Sequence, residues 1–249
     1  MEFDELLFSD ELRGRIWRGK ALRLARPTIP TGFAALDGYL PGGGWPLGGL
    51  IEVFVEHYGI GELTLLIPAL AALTRGDAHQ PSARKWVAWI APPFVPYAPA
   101  LQQRGVGVDG LLLVQPSTSR RECLWTVEQV IRSGSSSGVL AWLSAADHVA
   151  LRRLQLAAEE QNCWIVLFRP VAARRERSPA ALRIGLEHEA GATLVRIDQC
   201  RGAHPGVVDI TGSLAGPERG FDDDGCAARE LDSKLAARPE RDASRGAPG

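Results

Sequence analysis

The sequence predicts an α/β domain, a mostly parallel sheet flanked by helices and followed by an antiparallel hairpin. Three observations carry that expectation. Five short runs are apolar but for Glu52: 50–55 (LIEVFV), 86–91 (WVAWIA), 111–114 (LLLV), 139–143 (VLAWL) and 164–168 (WIVLF). Strands covered on both faces read this way, whereas a half-exposed strand alternates. The segments between them place apolar residues at helical spacing, as Cys123, Leu124, Val127, Val130 and Ile131 do. Finally, 181–188 and 192–199 alternate apolar with polar residues on either side of a turn at 189–191, the pattern of an antiparallel hairpin.

The chain divides into three parts. Residues 1–29 read as a helical arm, with Phe3, Leu6, Leu7, Leu12, Ile16 and Trp17 on apolar faces and Arg13, Arg15, Arg18, Lys20, Arg23 and Arg26 making it basic. Such an arm is either a solvated helix face or a docking element, and in the second case Arg15, Trp17 and Arg18 are its contact residues. Pro27 and Pro30 end it. The α/β domain takes residues 30–212. Residues 213–249 are rich in Gly, Pro and charge, with an acidic cluster at 222–224. Little there can be buried, which predicts a disordered tail with one helical turn near 227–235.

With 249 residues, 45% apolar and 23% charged, the chain fits a soluble globular protein. A net charge of −1 offers nucleic acid or a membrane no whole-chain attraction, so any such contact must be local. The four cysteines are far apart, without metal-ligand spacing, and read as buried thiols of a reducing cytosol. The acidic N-terminus lacks the apolar core of a signal peptide. No apolar run approaches the ~20 residues of a membrane span. The expected location is the cytoplasm.

The most informative stretch is 31–73. A Gly-rich loop (Gly42, Gly43, Gly44, Pro46, Gly48, Gly49) leads into 50–55. A second turn follows on Gly59 and Gly61, then an apolar helix-like segment. Strand, glycine turn and helix form the layout of a phosphate-binding loop, whose backbone N–H groups hold an anion. That chemistry needs a Lys on the phosphates and a Ser or Thr hydroxyl on Mg²⁺. Here Glu62 and Leu63 follow Gly61. A carboxylate repels a triphosphate and a hydrocarbon cannot ligate a metal, so no nucleotide cofactor is expected.

On these residues the chain resembles the RecA family. TGFAALDGYLPGGGWPLGGLIEV, with its Thr31-Gly32 and Leu36-Asp37 pieces, is similar to the segment leading into that family's Walker A strand. GVGVDGLLLVQPST, with Gln115-Pro116, is similar to the segment between its second and third core strands. The resemblance covers about residues 30–200. More narrowly, PGGGWPLGGLIEVF followed by GIGELTLLIPALA resembles the ImuA group, RecA-like bacterial proteins associated with damage-induced translesion DNA synthesis.

The resemblance implies a RecA-like core and exposes departures from the family. The Walker A Lys and Thr fall at Glu62 and Leu63. The acidic residue that activates water falls near Pro92 and Pro93, the Walker B Asp at Trp142 or Leu143, and the Asn-Gln sensor at 168–170. Each such group can contribute a few kcal/mol to the phosphoryl-transfer transition state, so losing all four predicts no ATP turnover. The family's first DNA-binding loop is absent, because Ser144 is read as capping a helix that runs to about Gln161. The second loop shrinks to 171–179 (VAARRERSP), with Arg174, Arg175 and Arg177. That loop is either a solvated charged turn or a contact for a phosphate backbone or an acidic partner.

Other residues read as structural. The five histidines lack a metal or triad arrangement, and 135–137 (SSS) is a turn. Glu52 lies where the family also has a Glu, for a structural role. Trp86, Trp89, Trp142 and Trp164 read as core, while Trp17 and Trp45 suit an interface.

The expected function is that of a non-catalytic adaptor in the SOS response. By resemblance its partners are an ImuB-like protein and an error-prone DNA polymerase, with DNA contacted through the short basic loop. Two alternatives stand beside it: a DNA-dependent ATPase or recombinase with an altered site, and a regulator of RecA or of cell division.

Overall fold

The computed structural model describes residues 27–75, 86–116, 119–189 and 191–214. The predicted arm up to residue 26, with Arg15, Trp17 and Arg18, and the predicted tail from 215 lie outside the described residues.

The core strand is β3 (Leu50–Val55), buried along its whole length. It lies between β7 (Trp164–Pro170) and β8 (Leu182–Glu189), parallel to both. Beyond β7 come β6 (Ser136–Trp142), β4 (Trp86–Ile90) and β5 (Leu111–Val114), all parallel. Beyond β8 come β9 (Ala192–Cys200) and β10 (Gly206–Asp209), each antiparallel to its neighbour. The order is β10-β9-β8-β3-β7-β6-β4-β5. A two-stranded ribbon, β1 (Thr28–Ile29) with β2 (Trp45–Pro46), is separate from this sheet.

All five expected strands form, and so does the hairpin. Its first strand also joins the parallel sheet beside β3. Two differences concern the strands. β6 starts at Ser136, inside the expected serine turn, because main-chain pairing with Trp86 needs no apolar side chain. β10 (GVVD) was not expected; four residues are too few to show a period.

Side chains alternate between two cores. Ile51, Val53 and Val55 face α1 (Ala34–Tyr39) and α2 (Ile67–Thr74), with Leu36, Leu66, Leu70 and Leu101 of α3 (Ala98–Gln103). Leu50 faces α4 (Arg120–Arg132) and α5 (His148–Gln161), through Val127, Ile131, Leu151 and Leu154. Burying a leucine completely contributes about 1.5–3 kcal/mol, and Leu36, Leu50, Leu66 and Leu70 are all at 0% exposure. The Leu36-Asp37 pair serves both ends of this packing: Leu36 fills the core while Asp37 Oδ1 accepts the Thr31 N–H at 2.8 Å.

Ser119 caps α4, accepting the Glu122 N–H. The cap of α5 is Asp147, not Ser144: its Oδ1 accepts the Ala150 N–H at 2.7 Å and the helix begins at His148. A carboxylate is the stronger acceptor for a helix N-terminus. Gln155, fully buried on α5, accepts the Leu50 N–H at 2.9 Å and fixes the helix to the start of β3. Trp45, expected at an interface, is fully buried; Trp86, expected in the core, is 44% exposed at the start of its strand. A short closing helix spans Thr211–Leu214.

Candidate functional site

The site lies where β3, β4 and β6 end. After Val55 the chain turns through Gly59 and Gly61, both with positive φ (+90° and +101°), a backbone that glycine adopts without strain. Turns continue to Leu66, and α2 begins only at Ile67, with Pro68 in its first turn. The helix therefore starts five residues beyond Glu62, later than the sequence implied.

Glu62 closes the turn on itself. Its Oε1 and Oε2 both accept the Gly59 N–H, at 3.0 and 3.1 Å, and the residue is 4% exposed. The donor that such a turn would offer to a ligand anion is thus taken by the chain's own carboxylate. Burial, and then the Glu62 charge, raise the Tyr58 hydroxyl above its ordinary pKa. From the hairpin, His188 Nε2 donates to the Ile60 carbonyl at 2.8 Å while its Nδ1 meets Thr193 Oγ1 at 3.1 Å. Sequence reasoning gave His188 no role; only the register of β8 brings it to this loop.

The turn forms one wall of a cleft of about 240 Å³, whose other walls include Trp89, Pro92, Pro93, Phe94 and Trp142. Glu62 is the only ionisable residue lining it among the described residues. Trp142 stacks on Phe168 (ring centroids 4.7 Å apart, 19° between planes) and leans on Trp89 at 5.7 Å. The structure therefore brings Gly59, Gly61, Glu62, Leu63, the Pro92–Pro93 step and Trp142 together. Leu143 faces the opposite core. Such a cleft suits apolar or aromatic groups.

The basic loop is a second region. A 3₁₀ turn, Val171–Arg175, carries Arg174 and Arg175, with Arg177 just after it. Arg174 is committed within the fold: Nε and Nη2 reach Asp198 at 2.8 and 2.5 Å, and Nη1 reaches Glu187 at 3.4 Å. Arg175 and Arg177 are exposed. Sequence reasoning missed Arg169 and Arg183, which hold this turn through carbonyls and carboxylates described below. No described helix is long and apolar enough to cross a membrane.

A parallel sheet with an antiparallel extension, and a glycine turn facing the ends of its neighbouring strands, define a RecA-like α/β domain. No family model matches the chain. Over 162 residues it is 32% identical to the protein ImuA of Caulobacter vibrioides, a match covering 63% of this chain and 64% of that protein. It is also 32% identical over 108 residues to RecA of Bacillus licheniformis, covering 43% of this chain and 28% of RecA. The chain thus spans under two thirds of the curated relatives it matches. In sequence it is similar to ImuA and, over a shorter stretch, to RecA. The crystal structure of SulA from Pseudomonas aeruginosa aligns with 49% of this chain and 97% of that one, at 25% identity and a TM-score of 0.40.

Proposed function

We propose that the chain is a non-catalytic RecA-like adaptor of the DNA-damage (SOS) response. It supports error-prone translesion synthesis with an ImuB-like protein and an error-prone DNA polymerase, in the cytoplasm and at the nucleoid when recruited. Similarity to ImuA supplies the cellular setting. The observation that carries the non-catalytic reading is the pairing of Glu62 with the Gly59 N–H. A triphosphate entering this turn would have to displace a buried carboxylate and then sit beside it, without a cation to offset the repulsion. The remaining walls, Leu63, Trp89, Pro92, Pro93 and Trp142, offer neither a metal ligand nor a base for water.

The deciding experiment is calorimetric titration of the full chain with ATP and Mg²⁺, followed by an ATPase assay with single-stranded DNA. The adaptor reading expects no saturable heat and no turnover. Tight Mg²⁺-dependent binding, or DNA-stimulated hydrolysis, would overturn it in favour of an ATPase or recombinase. Co-purification with an ImuB-like protein and polymerase tests the partners separately.

A further inference from the structure

A second concavity, of about 500 Å³, lies between α4 and α5, away from the strand-end cleft. Its apolar floor includes Leu124 and Leu154, and its rim is Trp125 and Val149, which are 60% and 68% exposed. Three arginines border it: Arg120, Arg121 and Arg153. Two carboxylates are present, and both are engaged. Glu128 pairs with Arg132 at 3.1 Å and with Arg153, while Asp147 accepts the Ala150 N–H that caps α5. Arg120 and Arg121 are exposed and form no ion pair among the described residues.

From this arrangement we propose that the α4–α5 groove docks an acidic segment of a partner protein, anchored by one apolar side chain. The anchor packs between Trp125 and Val149 over Leu124. Flanking Asp or Glu side chains meet Arg120 and Arg121; with Glu128 paired to Arg153, the lining keeps these two arginines against a single carboxylate, Asp147. Charge complementarity selects an acidic segment over a neutral or basic one. An exposed tryptophan beside unpaired arginines is the composition of a binding hot spot, and two adjacent helices form the kind of groove that accepts an amphipathic segment. A polypeptide fits better than single-stranded nucleic acid. Half of the lining is aliphatic or indole surface, and it holds one aromatic ring, Trp125, where a single strand stacks successive bases on several. The inference does not rest on the adaptor reading, because a chain that hydrolysed ATP could carry the same groove.

The test is selection of a random-peptide phage library on the full-length chain, followed by affinity measurements with the enriched synthetic peptides. Enriched peptides should carry carboxylates around a Leu, Phe or Trp. Their affinity should fall by about tenfold or more for Arg120→Glu/Arg121→Glu and for Trp125→Ala, and when their Asp and Glu are replaced by Asn and Gln. All three positions are exposed, and thermal melts check that each variant folds. Should the charge reversal unfold the protein, Arg120→Gln/Arg121→Gln replaces it. Selection of neutral or basic peptides, of peptides indifferent to these variants, or of none at all overturns the proposal. So does a single-stranded oligonucleotide that binds the wild type and is lost in the same variants, which would make the groove a nucleic-acid face.

Discussion

Arg169 and Glu52 form an ion pair in which neither side chain is exposed, Nη1 to Oε1 at 2.7 Å. Glu52 Oε2 accepts from Arg183 Nε at 2.9 Å. Arg169 Nη2 reaches the Ala146 carbonyl and the Glu176 carboxylate. Arg183 Nη2 reaches the carbonyls of Ala173 and Arg174. One carboxylate on β3 therefore ties β7 and β8 to the 3₁₀ turn beneath the basic loop. This is the structural role expected of Glu52, with partners that no local pattern announces.

Removing Glu52 leaves the buried Arg183 without its counter-charge and Arg169 with only the half-exposed Glu176. Glu52→Ala should lower unfolding free energy by about 3–5 kcal/mol, as breaking buried pairs does. Urea denaturation measures this. A loss under about 1 kcal/mol would mean that water already reaches the pair.

Glu62→Gln keeps the shape of the glycine turn and removes its charge. The Tyr58 hydroxyl should then ionise at lower pH than in the wild type, yet still above its ordinary 10.0, because burial is the larger cause of its rise and Glu62 the smaller. The linked stability follows from the sign. The folded pKa lies above the unfolded one, so the contribution is full below about pH 10 and is lost as pH rises through the folded value. Ultraviolet titration of tyrosinate, with Tyr58→Phe as the reference, resolves the shift.

Glu187 accepts a two-pronged bond from Arg196, at 2.6 and 2.7 Å, and a longer one from Arg174. The Arg196 hydrogen bonds are the main reason its carboxyl titrates below the usual 4.5. A lowered folded pKa gives stability that is present above about pH 4.5 and lost as pH falls through the folded value. Glu187→Gln should cost about 0.5–1 kcal/mol at neutral pH, since Arg196 is 43% exposed by side chain. The difference from the wild type should vanish in acid. Melts taken from neutral to acid pH would refute this if the gap stayed constant.

Gly44 packs directly on backbone: a Cβ placed there would lie 2.2 Å from the Ile29 carbonyl oxygen. A main-chain atom in the β1–β2 ribbon cannot rotate aside as a side chain can. Gly44→Ala should destabilise by about 1–3 kcal/mol, as overpacking does. Equal melting temperatures for variant and wild type would show that the ribbon yields.

Much of the architecture was legible locally. Runs such as LIEVFV and WIVLF, of strand length and rich in β-branched and aromatic residues, read as strands covered on both faces, and residues 181–199 alternate as a hairpin does. The ribbon and β10 escaped notice because two to four residues carry no period. Ser144 looked like a helix cap because hydroxyl and carboxylate serve the same purpose, and the chain had Asp147 in reserve three residues later. Trp45 and Trp86 exchanged expected roles, since composition says a tryptophan wants burial but not whether a neighbour will supply it.

At the site the boundary is sharper. Sequence alone determined that Glu62 and Leu63 follow the second glycine turn, because residue identity at a fixed spacing is a property of the chain. Only tertiary structure decided that Trp142 and not Leu143 lies across the cleft from Glu62, and that Arg174 is bound to Asp198. These are contacts between segments whose separation in sequence says nothing of their distance in space. They follow from strand register, which the whole sheet settles at once by burying its apolar faces.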